Sequence, residues 1–306
     1  DESPYLEALE TQGGFDMRHV NLHGIDPLET VESVVHALGQ PGYICNAYMY
    51  APINAAARAA GIDVLLDGCE GDVSLSYGLG RIGELVLSGD WLSLDREIGA
   101  LAQTTTAPIA QLFRQHAEPF LPARLGLHPF RFATNDLRHA ARLGRRPALR
   151  LLAKTGRSAW RSWRGETPGI SESASLVSRD LLESTRLIDR INDSRPAISP
   201  NNFSERRRHW WSIHHEASGI STIQEEANHL HAMHGGEARH PFYDVRLIEF
   251  CVGLPSDQKL RNGYTRSILR RSLRHTLPEI IQRRMTKGDL SDNFVRAVVA
   301  DSSGRI

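Results

Sequence analysis

Residues 62–72, Ile-Asp-Val-Leu-Leu-Asp-Gly-Cys-Glu-Gly-Asp, constrain the fold of this chain more than any other stretch. The short apolar run, opened by Gly61 and closed by Asp67-Gly68, reads as a buried parallel strand. Residues 54–60 ahead of it are helix-forming, and Gly61 stands where a helix places its C′ glycine. The order is therefore helix, tight turn, strand, then a glycine-punctuated acidic loop. In open α/β sheets, ligands sit beyond the carboxyl ends of the strands, which is where Asp67, Glu70 and Asp72 fall. Gly68 and Gly71 allow close backbone approach to a ligand, and carboxylates there suit Mg²⁺, a hard cation. A solvated acidic turn would carry the same residues, so the loop does not decide the function alone.

Helices are written around that strand. Ser3-Pro4 reads as a cap and an N1 proline opening a first helix, which Gly13-Gly14 breaks. Residues 15–22 mix apolar and polar side chains as a strand does. Asp26-Pro27-Leu28-Glu29 offers an N-cap Asp, an N1 proline and a Glu at N3. The helix behind it sets Leu28, Val31, Val34, Val35 and Leu38 on one face and stops at Gly39. This helix–strand–helix–strand order predicts an α/β fold with a sheet that is parallel at least in part. After Tyr77-Gly78 the strand signals run out, and a largely helical C-terminal part is expected.

Bulk properties narrow the classes. Lys plus Arg and Asp plus Glu both total 36, so net charge selects no partner, and a nucleic-acid or membrane partner is not expected. Cys45, Cys69 and Cys251 lie far apart, which argues against a disulfide framework or a zinc knuckle and fits a reducing, cytoplasmic setting. No apolar run approaches the roughly 20 residues needed to cross a bilayer, and the first residues lack the pattern of a signal peptide.

Charge is unevenly spread. Between Asp136 and Glu166 lie nine basic residues and no acidic one: Arg138, Arg142, Arg145, Arg146, Arg150, Lys154, Arg157, Arg161 and Arg164. Such a segment could hold phosphates, an anionic membrane or an acidic peptide, or could be a solvated helix face with Trp160 and Trp163 packed inward. His229, His231 and His234 suggest a metal site by composition, but that spacing does not share a helix face.

A second informative stretch is Glu237-Ala238-Arg239-His240-Pro241-Phe242-Tyr243-Asp244. With Arg266, Leu269-Arg270, Leu277-Pro278, Arg284 and Lys287 behind it, it resembles the synthetase domain of the glutamine-hydrolysing asparagine synthetases. That family carries E-x-R-x-P-F-x-D, then a basic residue and L-R on a helix, then L-P, then an R-x-x-K or R-x-K turn. Its acidic loop reads S-G-x-G-x-D-E after a strand, and residues 67–73 occupy that place. The motifs run in family order over residues 1–290.

The resemblance implies a parallel-sheet nucleotide-binding core of the adenine nucleotide alpha hydrolase type, followed by helices. Residues 1–306 would form a single, N-terminally truncated domain: a sheet-containing part (1–125), a basic helical segment (126–204) and a C-terminal helical part (205–306). It implies ATP-dependent amide formation through an acyl-adenylate, with aspartate as the carboxylate and ammonia drawn from glutamine. Lys287 and Glu70 would be catalytic. Gly68, Gly71, Asp72 and Arg266 would hold ATP, and Asp72 would bind Mg²⁺. Arg239 would brace its turn, and Asp244 would cap the next helix. The ammonia or amine source would be an upstream glutaminase domain or another donor.

The chain also departs from the pattern. The family's S-G-G-x-D-S pyrophosphate loop and its first strand are absent, as is the amidotransferase domain with its N-terminal cysteine. Cys69 stands where many members have Glu, and Val73 where most have a second acid. Glu70 is the available substitute. Two other readings stay open: a lactam-forming relative acting on a peptide or small amino acid, like the lasso-peptide cyclases and β-lactam synthetases, and a degenerate, non-catalytic binding domain.

Overall fold

The computed structural model describes residues 2–121 except 23, 24, 41 and 43–45, residues 178–190 except 188, residues 204–288 except 216, and residues 294–296 and 299. The basic segment 138–164 and Cys45 lie outside the described residues. Helices α1 (Ser3–Gln12), α2 (Glu29–Leu38), α3 (Tyr50–Ala59) and α4 (Gly71–Leu75) come first, with strand β1 (Val64–Leu66) before α4. They are followed by α5 (Gly80–Ser88), α6 (Trp91–Thr105), α7 (Ile109–His116) and α8 (Arg179–Thr185). The last group is α9 (Glu205–His215), α10 (Ala217–Met233), β2 (Glu237–Arg239), α11 (Val245–Gly253), α12 (Ser256–Lys259), α13 (Ser267–Ser272) and α14 (Glu279–Arg283). A helix-rich chain with a small two-stranded parallel sheet is consistent with the expected α/β class.

The chain divides into two compact units, Asp1–Leu79 with His209–Ile306, and Gly80–Arg208. In the first, α3 ends as expected. Gly61 takes φ +73°, its N–H donates to Arg58 O, and Ile62 N–H reaches back to Ala57 O, both at 2.9 Å. This Schellman closure satisfies the last carbonyls and turns the chain into β1. β1 pairs with β2 in parallel, Val64 opposite Glu237, Leu65 opposite Ala238 and Leu66 opposite Arg239. Asp67 N–H extends the ladder to Arg239 O at 3.1 Å. Asp67 and His240 therefore leave adjacent strands side by side at their carboxyl ends. Helix α10 feeds β2 and packs against α2, α3 and β2, with Ala227 and Leu230 buried.

One buried polar tether fixes the acidic loop's helix. Lys259 is fully buried, and its Nζ donates to His209 Nδ1 at 3.0 Å. An ammonium can only donate, so Nδ1 accepts, and the proton sits on Nε2, which donates to Val73 O at 2.8 Å. The backbone of α4 is thereby tied to α12.

The second unit is built on Ile82, Val86, Leu94, Ile98, Leu101 and Phe120, all buried. Asp90 caps α6 by accepting Ser93 N–H at 3.1 Å.

The structure differs from the sequence reading at several elements. Strand β1 is parallel as expected but not buried: Leu66 is 70% exposed, and Val64 and Leu65 are only half-buried. Residues 15–22 form no strand: Gly13 and Gly14 take φ +72° and +85°, and Phe15 is 51% exposed rather than sandwiched against a neighbour. Ser3 is the first helical residue of α1 rather than its cap. Asp26 accepts Leu28 N–H at 2.9 Å in its own turn, so α2 begins only at Glu29. On the face of α2, Leu28 and Val34 are buried while Val31 and Val35 are exposed. Strand β2 has no apolar run to announce it; only Ala238 of its three residues turns inward.

Candidate functional site

Asp72 is the meeting point of three segments. Helix α4 carries it at its second residue, held by the Lys259–His209 tether one position on. Its Oδ1 accepts from Arg266 Nη2. Its Oδ2 accepts from Tyr77 Oη at 2.7 Å and from Lys287 Nζ at 3.0 Å. Arg266 lies over the Tyr77 ring at 4.1 Å, a cation–π contact that fixes the guanidinium plane against the carboxylate. The anchoring runs outward from there: Arg270 Nη1 donates to Gln282 O and Gln282 Nε2 to Arg270 O, both at 2.7 Å, which locks α13 to α14. Arg284 makes a two-pronged pair with Glu2 at 2.5 Å on each oxygen and covers the Tyr5 ring, docking α1 beside the turn that ends in Lys287.

These residues rim a cleft of about 350 Å³ whose wall is apolar: Leu269, Leu273, Leu277, Ile281 and Met285. Burial works to raise the Asp72 carboxyl, but the hydrogen bonds from Tyr77 and Lys287 and the charge of Arg266 outweigh it and hold the carboxyl below its ordinary 3.8. Reciprocally, the hydrogen bond to Asp72 and its charge lift the Lys287 ammonium above 10.5. The pair stays ionised across the neutral range.

The loop itself brings the other sequence-flagged residues close. Glu70 sits at φ +65° and opens α4. Burial raises its carboxyl, His240 pulls the other way, and the charges of Asp67 and Asp72 add to the rise. A Cβ at Gly68 would meet nothing within 4 Å, so that backbone is open to a ligand, whereas one at Gly71 would press on Phe242 at 3.3 Å. Gly71 is thus explained by packing of the Pro241-Phe242 turn. Asp244 caps α11 as expected, accepting Arg246 N–H at 2.8 Å, and Arg239 pairs with Glu237 on the surface. His231 Nδ1 donates to Asn54 Oδ1 and His229 Nδ1 to Glu225 O, and neither joins a metal cluster among the described residues.

A family model described as asparagine synthase matches residues 1–302. The chain belongs to the asparagine synthase family. Comparison with the curated proteins and with solved structures returns no match. The family is one of ATP-using synthetases that form amide bonds, which makes this a member of a ligase-type enzyme family. Among the described residues no helix is long and apolar enough to cross a membrane.

For an asparagine synthase family member, the donor set suits a nucleotide with Mg²⁺. Asp72 and Glu70 place two oxygen acids on one loop, a donor type that a hard cation prefers. Lys287 and Arg266 line the cleft, two cations of the kind that suits phosphate oxygens.

Sequence reading missed Tyr77, which orients Asp72 and carries Arg266. Its only signal was its place five residues after Asp72.

Backbone strain marks the same place. Of the six non-glycine residues at positive φ among the described residues, three, Glu70, Ser76 and Arg266 at +65°, +57° and +50°, flank Asp72 or Tyr77. A non-glycine residue there costs about 1–2 kcal/mol. Glu70→Gly is therefore expected to hold or raise stability, by up to about 1 kcal/mol, while lowering ATP–pyrophosphate exchange. Thermal melts and exchange assays on the one variant check both. Full activity with a raised Tm would leave Glu70 a loop-former without a catalytic part.

Proposed function

We propose that this protein forms an amide bond in two stages, activating a carboxylate with ATP and then passing the acyl group to an amine. The observation that supports this reading best is the shared Asp72 carboxylate, held by Arg266, Tyr77 and Lys287 at the mouth of a cleft. Lys287 is 81% exposed on a flexible stem, so it can leave Asp72 for phosphate oxygens while Arg266 stays on the carboxylate. Arg266 is pinned by Asp72 and the Tyr77 ring and would act as a fixed charge beside the α-phosphate. Tyr77 keeps Asp72 oriented. Glu70, at the start of the same helix, would take up the acidic role of the Glu that Cys69 replaces. Bound Mg²⁺, on Asp72 with Glu70, would neutralise phosphate charge.

Aspartate with ammonia released from glutamine by an upstream glutaminase domain is the first substrate pair. A second has a specific observation behind it: the wall of Leu269, Leu273, Leu277, Ile281 and Met285 suits a carboxylate carried by an apolar or peptide substrate, as in lactam formation.

ATP–pyrophosphate exchange, measured on the protein with its upstream sequence, tests the reading. Exchange that requires a carboxylate is expected, and the carboxylate that supports it chooses between aspartate and a larger substrate. Residues 1–306 contain no S-G-G-x-D-S stretch, and by themselves are expected to give no exchange. No exchange from the extended protein with aspartate, small amino acids or peptides would leave a binding domain as the better account.

A further inference from the structure

We propose that Asp67, Cys69 and His240 form a binding site for a borderline-soft divalent cation of the zinc class, separate from Asp72. Their candidate ligand atoms, one carboxylate oxygen, one sulfur and one ring nitrogen, all lie within 4.8 Å of one another. Tetrahedral zinc holds its donors roughly 3.4–3.7 Å apart, so side-chain shifts of about 1 Å bring this trio to a three-ligand site with a fourth position open.

The fold accounts for the convergence. Leu66 and Arg239 are partners in the parallel ladder, so the next residues, Asp67 and His240, emerge together from the ends of β1 and β2. Asp67 Oδ1 lies 2.8 Å from His240 Nδ1 and accepts Cys69 N–H at 3.0 Å, which bends the loop so that Cys69 returns over the same spot. The His240 side chain is only 10% exposed, and its Nε2 is buried with no hydrogen-bond partner among the described residues. A buried imidazole nitrogen needs a partner, and a metal ion is one. The vacant space beside Gly68 leaves room for approach.

The donor chemistry selects the ion. Sulfur and imidazole favour zinc and its neighbours over Mg²⁺, which takes oxygen. The wide cysteine spacing argues against a knuckle built from cysteines, but not against a mixed set assembled by the sheet. Asp67 and Cys69 stand where the family's loop has Ser and Glu, and His240 stands at an unspecified position of E-x-R-x-P-F-x-D. The site is therefore a property of this chain, and does not depend on the amide-forming reading.

The test is metal binding by the full chain after chelator treatment, with Zn²⁺ measured against a chromophoric competitor and Co²⁺ by absorption. One equivalent of each is expected, the Co²⁺ form showing tetrahedral bands and a thiolate charge-transfer band. Cys69→Ser should abolish that band, and both Cys69→Ser and His240→Ala should weaken Zn²⁺ at least about tenfold, whereas Lys287→Ala should bind as the unaltered protein does. Zn²⁺ should also raise the Tm of the unaltered protein, which needs no variant to fold. Absence of binding, absence of a Tm shift, or binding unchanged in Cys69→Ser overturns the proposal.

Discussion

In the protein with its upstream sequence, Lys287→Ala should lower ATP–pyrophosphate exchange about 10²–10³-fold and leave the fold intact. The ammonium touches Asp72 at 3.0 Å but is 81% exposed, so their pairing contributes little to stability, at most about 1 kcal/mol. Its larger effect belongs to the reaction. Negative charge grows on the phosphates as pyrophosphate departs, and a cation placed for that moment is worth about 3–4 kcal/mol. Substrate affinity should change less, because the charge being stabilised is absent from the ground state. Lys287→Arg should rescue only in part: a planar guanidinium cannot follow a departing group as a point charge does, and it would crowd Arg266 over Tyr77. Exchange kinetics with circular dichroism on both variants check this. Near-normal exchange by a folded Lys287→Ala protein would move the active centre away from Asp72.

The parts of this arrangement differ in how plainly the sequence announces them. β1 and the turn before it are local: four apolar residues and a C′ glycine suffice, and Gly61 behaves as read. Asp72 and Lys287 lie 215 residues apart, and no periodicity links them; only the order of motifs in a known family put them on one list. Strand β2 is invisible to pattern, since Glu237 and Arg239 face outward and the backbone alone does the pairing with β1. The expected strand at 15–22 failed for the converse reason, an alternating pattern with no partner edge among the described residues. Tyr77 and the Lys259–His209 tether are tertiary facts. A buried lysine looks like any surface lysine until its imidazole partner, 50 residues away, is placed against it. The Asp67–Cys69–His240 trio is intermediate: two members are sequence neighbours, and strand register delivers the third.

Asp72→Asn should match Lys287→Ala in lost exchange, about 10²–10³-fold, but should differ from it in two measurable ways. The first is stability. Arg266 is only about a quarter exposed, its Nε already lacks a partner among the described residues, and the neutral amide leaves its guanidinium uncompensated. Because Asp72 itself is partly exposed, solvent softens the penalty to about 1–2 kcal/mol, still enough to lower Tm where Lys287→Ala does not. The pH dependence has a fixed sign. A carboxyl held below 3.8 contributes stability above that value and loses it as pH falls through its depressed pKa. A lysine raised above 10.5 contributes below that value and loses it as pH rises through its elevated pKa. The unaltered protein should therefore keep the pair's contribution from about pH 4 to 10, and Asp72→Asn should remove the acid limb. The second difference is response to metal. If Asp72 holds Mg²⁺, a higher Mg²⁺ concentration should recover part of the activity lost in Asp72→Asn and none of that lost in Lys287→Ala. Equal recovery in both variants, or in neither, would make Asp72 an anchor for Arg266 and Lys287 with no metal of its own.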